Sequence, residues 1–261
     1  GALNLNGGRI ETGRLTRKCS YLCETTVNLN GGVLEAAYVC GAKTNRQCVP
    51  PNRPEAMAVN FDGGTLRCSR NNVAVFSYRD VPGREGNSAA PRITVFKGGA
   101  TFDITTNVTV TVDPPLERPY GGGVERIAWT SSDYEVAPPF VRIEGDGTGA
   151  SAVCDYDPKS GLVTNVTVTS RGNGYSWAKA YFIMGSHAAA TNAVVDCTVT
   201  SNETELEQSG GVTKTGAGTL VLSATNGWAG VTSVAGGVLK ADAGYAIPSN
   251  AVVRLAGGDL N

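Results

Sequence analysis

The chain of 261 residues contains one histidine, His187. No site built on two imidazoles can form within it, which removes multi-histidine metal centres. A serine hydrolase would need this one imidazole as its base, and no Gly-x-Ser-x-Gly elbow accompanies it. His187 lies in Met184-Gly-Ser-His-Ala188 with no carboxylate or cysteine beside it, and reads as an exposed or strand-edge residue. Asp155 and Asp157 are the carboxylate pair with most promise. Two apart on a strand, they would share a face, a placement that suits glycoside hydrolysis or a calcium ion. Pro158 follows at once, and an Asp beside a turn commonly caps it. Glu144-Gly-Asp146-Gly and Asp62-Gly-Gly64 lack the multi-carboxylate spacing of a calcium loop. No catalytic residue and no metal ligand is assigned, and no cofactor is expected.

Seven cysteines are present: Cys19, Cys23, Cys40, Cys48, Cys68, Cys154 and Cys197. The spacings within Cys19/Cys23 and Cys40/Cys48 do not match the paired CxxC ligands of a zinc site. Both pairs sit in runs rich in Pro, Arg, Lys and Asn. Disulfides stapling exposed loops are the expectation, and imply an oxidising extracellular or periplasmic setting. Cys19–Cys23, Cys40–Cys48 and Cys154–Cys197 are the first pairs to test, leaving Cys68 over; free structural thiols are the alternative. Aromatic side chains gather between 113 and 208. Trp129, Tyr134, Tyr175 and Trp177 are candidate ligand contacts, because such rings supply large contact area with a polar tip. The competing role for them is the core of a small module.

The elements that must position these residues are strands. Gly, Val and Thr number 34, 29 and 26; β-branched residues favour strands and Gly serves turns. A net charge of −1 offers no basic footprint for nucleic acid. No apolar run approaches the roughly 20 residues of a helical membrane span. One pattern recurs: Ala2-Leu-Asn-Leu-Asn-Gly-Gly-Arg-Ile10, Thr26-Val-Asn-Leu-Asn-Gly-Gly-Val-Leu34 and Ala58-Val-Asn-Phe-Asp-Gly-Gly-Thr-Leu66, with weaker copies ending at Thr101, Leu239 and Leu260. Each is a short alternating strand, a Gly-Gly corner and a second short strand. Such a unit cannot bury its apolar face alone, but stacked units share a core.

The sequence therefore predicts an all-β protein: a right-handed parallel β-solenoid (a β-helix) interrupted by a small antiparallel β module. Residues 1–112 form solenoid rungs with loop insertions, 113–208 the module and 209–261 further rungs. Val27, Leu29, Leu34, Val59, Phe61, Leu66, Leu220, Leu222, Val234 and Leu239 are expected to point inward as one apolar column.

The stretch Ser209-Gly-Gly-Val-Thr-Lys-Thr-Gly-Ala-Gly-Thr-Leu-Val-Leu-Ser-Ala-Thr-Asn226, continued by Gly236-Gly-Val-Leu239 and Ile247-Pro-Ser-Asn250, resembles the autotransporter-associated β-strand repeat. The middle, from Pro138 through Gly172-Asn-Gly-Tyr175, resembles a repeat of phage tail and surface proteins. The first resemblance implies a β-helical stalk of a large secreted bacterial surface protein, and it brings no catalytic residues. No translocator barrel is recognised in these residues. Seven cysteines are unusual in passengers that cross the outer membrane unfolded, so another export route is expected.

The expected function is a non-catalytic structural or adhesive segment of an extracellular protein at the bacterial cell surface, or of an extracellular fibre. The expected partners are copies of itself, or further repeats of the same chain, stacked end to end, together with host or matrix glycans. Two alternatives stand beside it: a β-helix polysaccharide lyase or glycoside hydrolase, and a phage tail component. Fold alone does not choose between these.

Overall fold

The computed structural model describes residues 1–17, 25–42, 57–71, 74–76, 88–129, 137–183, 193–202 and 209–261. Among them every regular element is a strand, as the Val- and Thr-rich composition requires. Two compact units are present. One comprises residues 2–118 and 206–261, the other residues 119–205.

The first unit is built of parallel sheets. One sheet takes β1 (Ala2–Leu5), β3 (Thr25–Leu29), β5 (Met57–Phe61), β8 (Arg92–Val95) and β11 (Leu116–Glu117) in that order. A second takes β2 (Arg9–Arg17), β4 (Val33–Ala42), β6 (Thr65–Cys68), β9 (Ala100–Ile104), β18 (Val212–Thr215), β20 (Thr232–Val234) and β22 (Val253–Leu255), with β7 (Ser88–Ala89) antiparallel to β4. A third holds β10 (Thr109–Val112), β19 (Thr219–Leu222), β21 (Val238–Ala241) and β23 (Asp259–Leu260). Consecutive strands pass from sheet to sheet, and each then pairs in parallel with its counterpart in the next repeat. This arrangement is consistent with a β-helix. The stack also continues past the second unit: β9 pairs directly with β18, Ala100 opposite Val212.

Register follows chemistry. Leu3, Val27, Val59 and Ile93 stand in one column, and Leu5, Leu29, Phe61 and Val95 in another. All ten residues expected to point inward are almost fully buried and belong to a single apolar cluster, with Trp228 and Phe76. Between the apolar columns runs a polar one, Asn4, Asn28 and Asn60. Asn28 Nδ2 donates to Asn4 Oδ1 at 2.6 Å, and Asn60 Nδ2 to Asn28 Oδ1 at 2.8 Å. Like residues at one register position thus hydrogen-bond to one another from rung to rung.

The corners explain the Gly-Gly signature. Gly32 has φ +65°, and a Cβ there would lie 2.6 Å from the carbonyl oxygen of Gly8 in the preceding corner. Gly237 has φ +62°, with the carbonyl oxygen of Gly218 only 2.2 Å from a Cβ. Both the left-handed backbone and the closeness of neighbouring turns therefore exclude a side chain.

The second unit is antiparallel. A four-stranded sheet runs β12 (Gly122–Ile127), β17 (Ala193–Ser201), β16 (Ala178–Ile183) and β13 (Phe140–Gly145), and β14 (Ser151–Asp157) forms a hairpin with β15 (Leu162–Ser170). Its own core contains Val124, Ile127, Val141, Val163, Tyr175 and Phe182. The first unit runs to Arg118 rather than ending at residue 112, because Leu116 still pairs with Ile93.

Candidate functional site

The residues singled out from sequence separate when placed on the fold. Tyr175 is buried and its hydroxyl accepts from the Ala150 amide at 3.4 Å. It is a core residue, as is the half-buried Trp129 packed on the same cluster. Trp177 is 50% exposed. Tyr134, His187, Cys19, Cys23 and Cys48 lie outside the described residues.

The cysteines correct the expectation of loop disulfides wherever they are described. Cys40 and Cys68 are buried within β4 and β6, not on loops. Cys154 and Cys197, expected as a pair, are separate thiols on different sheets. Burial pushes the Cys68 thiol up to about 12, helped by Asp103 and Glu35. Cys154 and Cys197 rise to about 11, again by burial first, then beside Asp155 and Asp196 respectively. These thiols pack as small apolar groups and are poor nucleophiles.

The carboxylates accept hydrogen bonds from nearby groups of the fold. Asp157 accepts from the Lys159 amide at 3.0 Å and the Ser160 hydroxyl at 2.6 Å, closing the hairpin turn, and these bonds lower its pKa. Asp155 accepts from Asn165 Nδ2 at 3.3 Å. The pairing slips between Asp155 and Tyr156 by an extra residue of β15, Thr164, so the two carboxylates keep their alternation on β14 but are engaged by separate partners. Asp62 accepts from the Gly98 amide at 2.6 Å. Asp146 accepts from the Ser176 amide at 2.8 Å, the Trp177 amide at 3.2 Å and the Ser176 hydroxyl. The Ser176 hydroxyl leads in holding its carboxyl down at about 2.

One depression lies on the second sheet of the first unit. Its volume is about 190 Å³, and its lining includes Glu11, Glu35, Ser69 and Arg70. Glu11 and Glu35 are directly opposite in register, a pair not singled out from sequence because they lie 24 positions apart. Arg9 Nη2 reaches both, Glu11 at 3.3 Å and Glu35 at 2.5 Å, and Arg67 Nε lies 3.5 Å from Glu35. The pKa of Glu35 is lowered, by the Ser69 hydrogen bond first and then by these arginines. A general acid for glycoside hydrolysis needs the opposite shift.

The second unit presents a mixed aromatic and charged face. Trp177, Lys179 and Tyr181 alternate along the chain with the buried Ala178, Ala180 and Phe182. On the neighbouring strand β13, Arg142 stands opposite Tyr181 and Glu144 opposite Lys179, while Phe140 is 50% exposed. The Arg142 guanidinium sits 4.9 Å from the Tyr181 ring centroid and 2.9 Å from Glu144. Lys179 Nζ is 3.6 Å from Asp196. Alternation marks such a face in sequence, but which strands are neighbours appears only in the fold.

Lys214 is the remaining unusual group. It stands in register between Phe102 and Val234, both fully buried, and is fully buried itself. Its ammonium donates to the carbonyls of Thr215 at 2.7 Å, Gly216 at 2.8 Å and Gly236 at 3.0 Å, tying one corner to the next. Burial lowers its pKa to about 8, with Asp103 opposing. Lys214 belongs to the Lys-Thr-Gly-Ala-Gly run of the sequence resemblance, which thereby acquires a structural purpose.

Comparison with curated proteins and with solved structures returned no match. Nothing found supports the phage-tail resemblance of the middle segment. Residues 212–241, spanning β18 to β21 and including Lys214, match the passenger-associated-transport-repeat family. Over this short segment the chain is similar to an autotransporter passenger repeat, which implies a secreted passenger region of a surface protein, extracellular or at the cell surface.

Proposed function

We propose that this chain is a non-catalytic structural and adhesive segment of a secreted bacterial surface protein, folded as a right-handed parallel β-solenoid. The observation that carries the reading is the unbroken parallel register on both sides of the inserted unit, with β9 on β18 and β10 on β19. A scaffold that carries an extra unit must keep its own ladder continuous, because a lost rung would leave backbone donors and acceptors unpaired. The ion-paired state of Glu11 and Glu35 supports a scaffold over a hydrolase.

The solenoid stacks with a further rung, from the same chain or a second copy. Leu255 and Leu260 occupy the register positions of the fully buried Val234 and Leu239, yet are 57% and 41% exposed. Another rung laid on β22 and β23 would bury them as their counterparts are buried. Its adhesive partners are host or matrix glycans. Light scattering of the 261-residue chain across a concentration series tests the stacking. Association that Leu255→Lys abolishes is the expected result; a concentration-independent monomer overturns it.

A further inference from the structure

We propose that Trp177, Tyr181 and Phe140 form a docking face for a neutral, extended polysaccharide on the sheet of β13, β16 and β17. The proposal rests on the adhesive reading above and names the surface and the ligand class. Trp177, the residue before β16, and Tyr181 on it are four residues apart on the side opposite the buried Ala178 and Ala180, about 13 Å at the rise of a β-strand. Phe140 stands opposite Ile183, two positions further along. A ligand that meets all three rings is therefore extended, spanning about 20 Å.

Two features separate a sugar chain from other occupants. The first is charge: the cations among the rings are already matched, Arg142 by Glu144 at 2.9 Å and Lys179 by Asp196 at 3.6 Å. With Asp146 beside Trp177 and the exposed Arg126 opposite Thr198 on the same face, three positive and three negative groups leave no net charge to select an acidic or basic partner. They do leave donors and acceptors beside each ring, which hydroxyl groups can use. The second is spacing. Lys179 stands between Trp177 and Tyr181, and Arg142 and Glu144 follow Phe140 along β13, with the exposed Val194 opposite Tyr181; the centre of a protein–protein interface is depleted of such charge. Rings flanked by hydrogen-bonding groups suit a pyranose, whose C–H face lies on the ring while its hydroxyls reach the flanks.

The face also makes its own positioning contacts before any ligand arrives. Asp146 fixes the Ser176 and Trp177 amides at 2.8 and 3.2 Å, so the backbone that carries the exposed indole is already ordered. Arg142 stacked on Tyr181 holds that ring in the same way. Ordering the binding groups in advance reduces the entropy lost on binding. Asp146 is a positioning residue here, not a contact.

The test is affinity electrophoresis of the 261-residue chain through gels containing xylan, galactomannan or mixed-linkage β-glucan as neutral probes, and alginate or pectate as acidic ones. Retardation by at least one neutral polysaccharide, insensitive to added salt, is expected. Trp177→Ala and Phe140→Ala should each weaken it about tenfold, the weight of one ring contact. Both side chains are half exposed, so thermal melting should be unchanged. Val153→Ala, at an exposed position on β14, serves as the control and should bind as the parent does. Retardation that survives both ring variants overturns this face while leaving adhesion standing. Retardation by the acidic probes alone, lost in high salt, overturns the neutral class. Retardation by none of the probes overturns the proposal, and the stacking of the solenoid is judged separately by light scattering.

Discussion

Raising the pH should stabilise this protein through Lys214, opposite to the usual effect of removing a proton from a lysine that makes hydrogen bonds. The group ordinarily titrates at 10.5 and is lowered to about 8 by burial in the fold. Below about pH 8 both folded and unfolded chains hold the proton, and the folded one bears the cost of an enclosed ammonium. Between about 8 and 10.5 the folded chain has released the proton while the unfolded chain keeps it, so stability rises with pH. At about 1.4 kcal/mol per pKa unit, the full transfer is worth about 3 kcal/mol, of which about 1 kcal/mol falls between roughly pH 7 and 9. The raised thiol pKa values of Cys68, Cys154 and Cys197 act in the other sense, removing stability as pH passes the ordinary thiol value of 9.0. A variant that shares the thiols cancels them. The assay is urea unfolding of the parent and Lys214→Met at about pH 7, 8 and 9, reading the difference between the two. That difference should move by about 1 kcal/mol in favour of the parent as pH rises. The three carbonyl acceptors oppose this, since an ammonium can satisfy all three and a neutral amine has only two hydrogens. A difference that stays constant, or moves against the parent, would show that those hydrogen bonds outweigh burial and refute the reasoning.

Leu29→Asp or Leu222→Asp places an unpartnered carboxyl in the stacked core and should cost several kcal/mol; a parental urea midpoint in either would show that the inward register is wrong. Gly32→Ala meets both a positive φ and a carbonyl 2.6 Å from the new Cβ, and should lower stability by about 2 kcal/mol. An unchanged melting temperature would mean the corner relaxes freely. Cys68, with its thiol raised to about 12 and enclosed, should react with iodoacetamide only on unfolding, and non-reducing peptide mapping should recover Cys154 and Cys197 unlinked. A Cys154–Cys197 peptide pair would contradict the separate thiols of the fold.

Much of the architecture was legible in the chain because its signal is local and repeated. Alternation in Val27-Asn-Leu29 marks which side chains turn inward, and a Gly-Gly pair after each strand marks the corner, whatever else surrounds them. The same two cues recur from Leu3 to Leu239, so the inward column was named residue by residue. The antiparallel hairpin was visible for the same reason, in two alternating runs around Asp157-Pro-Lys-Ser-Gly161. The roles of the chemical groups were not legible. Glu11 and Glu35 share Arg9 only because a repeat of 24 residues sets them side by side. Cys154 and Cys197 were the third pair to test, but sequence does not fix connectivity, and in the fold each is a separate thiol. Alternation puts Lys214 on the face of Val212, but not what encloses its ammonium there. Its burial is decided by Phe102, 112 positions earlier, and by Val234 in the following rung. Periodicity along the chain determines which face a side chain takes. What it meets there depends on the rung above and the rung below, and only folding sets that distance.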